Sequence, residues 1–327
     1  MDFDFILGQE KLIENLKKVL EKKELVHAYL LEGQKGLGKK RVAYLFAKGI
    51  CCRGQGQRPC NKCISCRKME GGNHPEIMWI QGEGSIKIDQ IRQLQKNLQL
   101  MPYEGDQKVC IICHADEMTV QAQNALLKTL EEPPKHAVVI LLTARPDSLL
   151  PTIVSRCQRI KMSPITREEI EKYLINKKGL EENEARVIGS LSKGIIGEAL
   201  RLLEDEDFKR QRKETIRITR DLIDKNTIEV LENIHFFIEE RPHINEILDM
   251  LIIWYRDLLI YKDTNVWTYI INIDQGEDIL YQSKKLSFDS IKEMFLIINK
   301  TRENFMTNVN FQLSLENMLL ELKEKTK

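Results

Sequence analysis

The stretch Gly33-Gln-Lys-Gly-Leu-Gly-Lys-Lys40 decides the fold of this chain. It follows a short apolar run, His27 to Leu31, and precedes a helical pattern from Arg41 to Ile50, so it predicts a strand, a tight turn and a helix. Such a turn directs backbone N–H groups and the positive end of a helix dipole at a phosphate. We therefore expect a phosphate loop formed by Gly33, Gly36, Gly38 and Lys39.

This loop lacks the hydroxyl group that should hold Mg²⁺. In ATPases with such a loop, a Ser or Thr follows the lysine and binds the metal, whereas this chain has Lys40. Two interpretations stay open: the loop binds a nucleotide, or it is vestigial and purely structural. In neither case do we expect a bound Mg²⁺.

The strand that should supply an acidic metal-binding residue also departs from the pattern. Its apolar run begins at Lys108 and ends in Cys113-His114, and the acids Asp116 and Glu117 come three residues late. A thiol or an imidazole brings no fixed negative charge to a magnesium site. We therefore expect no intrinsic ATPase activity; an active ATPase with substitute metal ligands at Asp116 or Glu117 is the alternative.

Strands alternate with helical segments as far as Pro164. Further strands are expected at Ile77 to Ile80, Val109 to Cys113 and Val138 to Thr143, and this alternation predicts a mostly parallel sheet covered on both faces. Beyond it the chain reads as helix throughout. We expect an α/β P-loop domain, then a small group of helices, then amphipathic helices with two apolar stripes. The stripes are Ile247, Leu251, Trp254 and Leu258, and Leu315, Met318, Leu319 and Leu322.

Length and charge exclude several classes of protein. A chain of 327 residues predicts two or three domains. Its 50 Lys and Arg against 49 Asp and Glu give a net charge of +1, so a protein that grips DNA by itself is not expected. No apolar run approaches the length of a membrane span, and the first residues have no targeting pattern. We expect a cytoplasmic protein without membrane contact.

Four of the eight cysteines form a metal-binding pattern. Cys51, Cys60, Cys63 and Cys66 have the spacing C-x8-C-x2-C-x2-C in a polar stretch that has no apolar core of its own. Four thiolates fill a tetrahedral Zn²⁺ site, so the zinc would be structural. Cys52 competes with Cys51 for the first position, and the pattern does not decide between them. His74 is an alternative ligand, although a turn residue is the simpler interpretation.

At this point the chain resembles the bacterial clamp-loader AAA+ family. The segments Asn124-Ala-Leu-Leu-Lys-Thr-Leu-Glu-Glu-Pro-Pro134 and Leu149-Leu-Pro-Thr-Ile-Val-Ser-Arg-Cys157 carry the resemblance, together with the inserted cysteine module. Trp254-Tyr-Arg-Asp-Leu-Leu259 and Asn308-Val-Asn-Phe-Gln-Leu-Ser-Leu-Glu316 are similar to the collar of that family. The resemblance therefore covers nearly the whole chain.

The resemblance implies three domains. Residues 1–164 would be the AAA+ core with the zinc module at 51–66, residues 165–207 a helical lid, and residues 208–327 a helical collar for oligomerisation. It also implies the partners: gamma/tau and delta subunits in a hetero-pentameric ring, with the beta sliding clamp and primed DNA met through the complex.

Within this family the motif Ser155-Arg156-Cys157 implies a role in trans. Its arginine enters the ATP site of the adjacent gamma/tau subunit and stabilises charge on the transferred phosphoryl group, for which a planar, permanently charged guanidinium is suited. From the residues alone, Arg156 could equally be a surface residue. Two further positions follow from the resemblance: Gly197 stands where ATPase relatives carry a sensor arginine, and Thr143 matches the first sensor position.

Three functions therefore compete. The leading hypothesis is a non-hydrolysing stator subunit that completes a neighbour's active site. The second is an active AAA+ motor of the gamma/tau type, against which the three absent elements count. The third is a zinc-dependent DNA-binding regulator, for which the sequence offers no separate basic recognition helix.

Overall fold

Five strands form one parallel sheet: β1 (Ala28–Glu32), β2 (Ile77–Ile80), β3 (Lys108–Ile112), β4 (Ala137–Thr143) and β5 (Gln158–Lys161). Their order across the sheet is β2-β3-β4-β1-β5. This computed structural model describes residues 3, 6–82, 84–307 and 309–326.

Helices cover both faces of the sheet. They are α1 (Glu10–Lys22), α2 (Lys39–Ile50), α3 (Ile64–Glu70), α4 (Ile88–Gln99), α5 (Val120–Glu131) and α6 (Pro151–Val154). Alternate residues of β1 serve different faces: Tyr29 and Leu31 pack into the core that includes α1 and α2, whereas Ala28 and Leu30 pack into the core that includes α4 and α5. The predicted parallel sheet with both faces covered is confirmed.

Two elements of this region were not expected from the sequence. Strand β5 lies at an edge of the sheet, and its residues are exposed or half-buried, so it has no apolar run. Helix α3 lies inside the cysteine module, where it begins at Ile64 after the N-cap Cys63.

The remaining helices follow without a further strand in the described residues. They are α7 (Arg167–Lys178), α8 (Glu182–Leu191), α9 (Ile196–Glu204), α10 (Glu206–Asp224), α11 (Thr227–Leu231), α12 (Ile234–Glu239), α13 (Ile244–Thr264), α14 (Gly276–Lys285), α15 (Phe288–Phe305) and α16 (Phe311–Glu324). At the start of α7, Thr166 and Glu169 cap each other: the Thr166 N–H donates to Glu169 Oε2 at 2.8 Å, and the Glu169 N–H donates to Thr166 Oγ1 at 3.3 Å.

The chain divides into two compact units. One comprises Met1–Glu169 with Ile195–Gly197, and the other comprises Ile170–Gly194 with Glu198–Lys327. The expected end of the α/β region at residue 164 lies five residues before this division. The further division of the helical part into lid and collar stays a prediction.

In the second unit, both predicted apolar stripes pack into one core. Trp254 of α13 and Met318 of α16 belong to the same cluster of buried side chains, and Trp254 Nε1 donates to the buried Gln282 Oε1 at 2.9 Å. These stripes are therefore the unit's own core. The collar-like stretch 308–316 begins at Asn308, which lies outside the described residues.

Among the described helices, none combines the length and the apolar character needed to cross a membrane.

Candidate functional site

The phosphate loop connects β1 to α2, as its sequence predicts. Gly36 and Gly38 both have φ of +88°, a conformation that favours glycine. The Gly36 carbonyl oxygen accepts a hydrogen bond from the Gly197 N–H at 3.0 Å. A Cβ atom at Gly197 would lie 2.7 Å from this oxygen, so the backbone contact requires a glycine at this position.

The ammonium group of Lys39 is bonded to its own loop. Its Nζ donates to the carbonyl oxygens of Gly33 at 2.5 Å and Gln34 at 2.8 Å. Burial lowers the pKa of Lys39, and the negative charge of Asp116 opposes that shift. The loop carbonyls thus take the hydrogen bonds that the lysine would give to a terminal phosphate.

Lys40 turns away from the loop toward the edge strand β2. Its Nζ lies 3.4 Å from Gln81 Oε1 and 5.5 Å from the centre of the Trp79 ring. An ammonium group therefore replaces the hydroxyl that binds Mg²⁺ in ATPases. The positive charge of Lys40 beside the phosphate loop repels a divalent cation.

At the carboxyl end of β3, the first carboxylate is Asp116, and it is already bonded. Its oxygens accept from Thr143 Oγ1 at 3.1 Å, from the Ala144 N–H at 3.3 Å and from Arg145 Nε at 3.2 Å. These donors hold the pKa of Asp116 below its usual value although burial acts in the opposite direction. Cys113, where an acid is needed, is buried, and burial raises the pKa of its thiol.

Four sulfur atoms meet in the cysteine module, and the first of them belongs to Cys52. The Sγ atoms of Cys52, Cys60, Cys63 and Cys66 all lie within 4.8 Å of one another, with Cys52 to Cys63 and Cys60 to Cys66 both at 4.0 Å. Zn–S bonds of about 2.3 Å would place tetrahedral sulfurs about 3.8 Å apart. The donor set and its spacing therefore fit a structural zinc ion.

The choice of Cys51 as a ligand was wrong. Cys51 caps α2 with helical φ and ψ of −79° and −6°, so its side chain continues the inner face of the helix, and its Sγ lies 4.0 Å from the Gln107 carbonyl oxygen. Burial raises the pKa of this thiol to about 12. His74 is not a ligand either, since its imidazole is hydrogen-bonded elsewhere.

The peptide between Cys51 and Cys52 is held by a buried chain of hydrogen bonds. The Glu76 N–H donates to His74 Nδ1 at 3.2 Å, so the imidazole proton lies on Nε2, which is 2.8 Å from Ser65 Oγ. Ser65 Oγ in turn donates to the Cys51 carbonyl oxygen at 2.6 Å. His74 and Ser65 thus hold the Cys51–Cys52 peptide in position, and the Ser65 hydroxyl is not an activated nucleophile.

Backbone N–H groups surround the sulfur atoms. The Gly54 and Cys60 N–H groups donate to Cys52 Sγ at 3.4 and 3.3 Å, and the Cys63 N–H donates to Cys60 Sγ at 3.4 Å. Burial by itself raises the pKa of Cys60, but the N–H groups of Lys62 and Cys63 and the thiols of Cys52 and Cys63 outweigh burial and lower this pKa to about 6. A Cβ atom at Gly54 would lie 2.4 Å from Cys60 Sγ, so this position has no room for a side chain.

A buried lysine that the sequence did not reveal holds the module to α2. Lys48 is fully buried, and its Nζ donates to Asn61 Oδ1 and to Glu70 Oε1, both at 2.6 Å. In the sequence, Lys48 stands among the apolar residues of α2, and nothing in that pattern indicates this contact.

Arg156 lies just before β5, at the amino edge of the sheet. Its Nη1 donates to the Thr152 carbonyl oxygen at 3.0 Å, and its Nη2 pairs with Glu131 Oε1 at 2.9 Å. Its neighbours do different things: Ser155 Oγ donates to the Thr152 carbonyl oxygen at 3.1 Å, and Cys157 is a buried thiol whose pKa burial raises to about 12.

The phosphate loop lies at the carboxyl ends of the strands, whereas Arg156 lies at their amino ends. β1 and β5 are parallel neighbours, with Tyr29 beside Gln158 at one end and Glu32 beside Lys161 at the other. Arg156 precedes the first of these pairs, and Gly33 follows the second. At about 3.3 Å per residue, the strand alone separates the two sites by about 15 Å.

Another group of possible metal ligands lies in the second unit. Asp205, His243 and Glu246 have side-chain atoms within 4.8 Å of one another. Arg201, however, pairs with Asp205 at 3.3 Å and with Glu246 at 2.8 Å. Its guanidinium already supplies the positive charge, so we do not assign a cation there.

Two family models match the chain. The model of the DNA polymerase III delta subunit matches residues 8–166, and the model of the C-terminal region of that subunit matches residues 206–324.

Individual relatives agree with these matches. The DNA polymerase III subunit delta' of Bacillus subtilis is 34% identical over 320 residues, which cover 97% of this chain and 96% of that protein. The tau subunit of the same species is 28% identical, with 92% of this chain and 58% of that protein covered. Among solved structures, a gamma subunit-related protein of Thermotoga maritima is 22% identical with a TM-score of 0.40, covering 96% of this chain and 99% of that one.

Proposed function

Because the chain belongs to the family of DNA polymerase III delta-prime subunits, we propose that it is the stator subunit of a bacterial clamp loader. It would join gamma/tau and delta subunits in a hetero-pentameric ring that places the beta sliding clamp on primed DNA in the cytoplasm. It hydrolyses little or no ATP itself, and Arg156 serves the ATP site of the adjacent gamma/tau subunit.

The position of Arg156 carries this proposal. A guanidinium that stabilises phosphoryl transfer must touch the transferred phosphate, and the chain's own phosphate loop lies at the opposite edge of the sheet. Arg156 can therefore reach only a nucleotide that is held by another chain. Its side chain is 36% exposed, which leaves the guanidinium accessible to a neighbour.

The chain's own nucleotide site supports the absence of hydrolysis. Lys39 bonds its own loop, Lys40 replaces the metal-binding hydroxyl, and Asp116 is occupied by three donors. Catalysis of phosphoryl transfer rests on positioning and charge stabilisation by such groups. A site with all three groups engaged elsewhere would provide neither.

The zinc site and the helical unit support a structural role. Four thiolates fill a tetrahedral shell, which leaves no ligand position for a substrate. The second unit buries its apolar stripes and still exposes leucines on α15 and α16, which offer surface for ring contacts: Leu296, Leu313 and Leu320.

The experiment is a measurement of ATP turnover by the isolated chain and by the complex with its gamma/tau subunit, delta, clamp and primed DNA. We expect no turnover by the isolated chain and strong turnover by the complex. Arg156→Ala should remove the contribution of one ATP site, a loss of about 10³-fold or more at that site. Arg92→Ala, which removes an arginine with a 63% exposed side chain on α4, is the matched control.

Two results would contradict the proposal. Turnover by the isolated chain that is lost on Lys39→Ala would identify an active motor. An assembled complex whose turnover is the same with Arg156→Ala as with wild type would make Arg156 a structural residue.

A further inference from the structure

A groove at the amino edge of the sheet joins the cysteine module to the Ser155-Arg156-Cys157 motif. It has a volume of about 1140 Å³, and its wall includes the first residues of β1 and β4. Its lining includes Arg53 and Arg58 of the cysteine module together with Arg156. The module and the arginine thus share one surface, although about 90 residues separate them in the chain.

This groove is strongly cationic in a nearly neutral protein. Five cationic and two acidic side chains line it, whereas the whole chain has a net charge of only +1. One of the two acids, Glu104, is paired with Lys68. The cationic side chains are Lys23, Arg53, Arg58, Lys135 and Arg156.

The two arginines of the module are available for a ligand. Within the described part of the chain, neither Arg53 nor Arg58 forms an ion pair. The guanidinium of Arg53 lies over Gly105, where a Cβ atom would come 3.5 Å from its Nε, so the side chain reaches across the groove wall. Unpaired guanidinium groups in a concave site favour an anion with several oxygen acceptors.

The cysteine cluster fixes where these arginines stand. Arg53 and Arg58 lie on the loop between Cys52 and Cys60, two of the four clustered thiols. The N–H groups of Gly54 and Cys60 bond Cys52 Sγ, which closes the loop on itself. A zinc ion at the four sulfurs would join both ends of the loop to α3 and so hold the arginines in the groove.

We propose that this groove binds the phosphate chain of the nucleotide held by the adjacent subunit, with Arg53 and Arg58 as positioning residues beside Arg156. The proposal rests on the proposed function, because Arg156 defines which anion enters. A triphosphate fits better than a DNA backbone, because the cationic side chains line one concave groove, whereas a DNA backbone is matched by a basic stripe along a surface. The module thereby has a task at the interface between subunits.

Binding of inorganic tripolyphosphate to the isolated, zinc-loaded full chain tests the site directly. We expect calorimetric binding that Arg53→Gln/Arg58→Gln weakens at least fivefold, while Gln55→Ala/Gln57→Ala, uncharged changes in the same loop, and Lys39→Ala leave it unchanged. Unaltered zinc content in each variant shows that the module is folded. Binding that survives the double arginine change, or that disappears with Lys39→Ala, overturns the proposal; so does tighter binding of duplex DNA than of tripolyphosphate at the same salt concentration.

The assembled complex separates this proposal from the proposed function. We expect Arg53→Gln/Arg58→Gln to raise the KM for ATP several-fold with kcat nearly unchanged, and Arg53→Lys/Arg58→Lys to restore part of the loss. Arg156→Ala should lower kcat instead. A normal KM with the double arginine change overturns the role of the module and leaves Arg156 intact, whereas an unchanged kcat with Arg156→Ala overturns the proposed function and with it the identity of the ligand.

Discussion

Arg156 and Glu131 form an ion pair, with Nη2 of the arginine 2.9 Å from Oε1 of the glutamate. Glu131 is the last residue of α5, and it lies in the segment Asn124 to Pro134, one of those that carry the family resemblance. The pair keeps the guanidinium on its own chain until another anion competes for it. Both side chains are partly exposed, 36% and 51%, so the pair is weak.

Replacement of Glu131 by Gln should make Arg156 easier to recruit. An exposed ion pair contributes about 0–1 kcal/mol, so we expect stimulation of the adjacent ATP site to reach its half-maximum at an up to about fivefold lower concentration of this subunit. Titration of the variant into the other clamp-loader subunits, with ATP turnover as the readout, measures this. Weaker stimulation would instead mean that Glu131 orients Arg156 for its partner.

The position of Cys52 in the sulfur cluster predicts a difference between two adjacent cysteines. Cys52→Ser removes a ligand, and we expect zinc affinity to fall by more than the about 10- to 100-fold that the loss of an outer-shell contact costs. Cys51→Ser changes a thiol that lies outside the cluster, so one zinc ion per chain should remain. Zinc content after dialysis against a chelator distinguishes the two.

The reverse result, with zinc lost on Cys51→Ser and kept on Cys52→Ser, would contradict the structure of the module. Cys110→Ser is a suitable further control, since Cys110 is a buried thiol of β3 remote in sequence from the cluster.

The backbone contact of Gly197 with Gly36 predicts the sign of a stability change. In a helix, Gly→Ala usually stabilises by up to about 1 kcal/mol. Here the new Cβ atom would lie 2.7 Å from the Gly36 carbonyl oxygen, and a backbone atom cannot move aside as easily as a flexible side chain. We expect Gly197→Ala to lower the free energy of unfolding by about 1–3 kcal/mol, the usual cost of overpacking.

Urea unfolding of the full chain checks this value, with Gly71→Ala as the control. A Cβ atom at Gly71 would have its nearest contacts at 3.7 Å, an ordinary distance, and Gly71 has φ of −77°. A stabilised Gly197→Ala variant would mean that the helix propensity of alanine outweighs the contact.

The sequence predicted those parts of the fold that rest on local chemistry. Apolar runs located β1 to β4; in β1, β3 and β4 the run is unbroken because these strands are buried on both faces, and the edge strand β2 is apolar although it is only partly buried. Strand β5 had no such run, since Arg159 and Lys161 lie at an exposed edge. Helical periodicity placed Trp254 correctly but could not show that its stripe shares a core with Met318.

At the candidate site, the sequence predicted residue types better than contacts. Spacing identified the cysteine module, but the choice between Cys51 and Cys52 depended on where α2 ends and on the hydrogen bond from Ser65. The pairing of Arg156 with Glu131 and the shared groove join residues far apart in the chain, and no local pattern reports such distances. That Arg156 contributes to the ATP site of an adjacent subunit stays a prediction.

The three departures in the phosphate site predict that one repair is insufficient. Lys40→Thr supplies the missing hydroxyl, but Asp116 stays bonded to Thr143, Ala144 and Arg145, and Cys113 still brings no carboxylate to the end of β3. We therefore expect no Mg²⁺-dependent nucleotide binding by the isolated Lys40→Thr variant. Cys113→Asp alone should also fail, because the ammonium group of Lys40 would pair with the new carboxylate. The positive charge of Lys40 already acts on this position: it lowers the pKa of Cys113, although burial raises that pKa more strongly.

Lys40→Thr/Cys113→Asp/His114→Glu restores both the hydroxyl and the carboxylates, so we expect Mg²⁺-dependent binding of a fluorescent ATP analogue at least tenfold tighter than in either partial repair. Lys39→Ala added to the triple variant is the control, and it should abolish the gain. Full Mg²⁺-dependent binding by Lys40→Thr alone would show that the hydroxyl was the single missing element, and that Asp116 can leave its three donors to serve the metal.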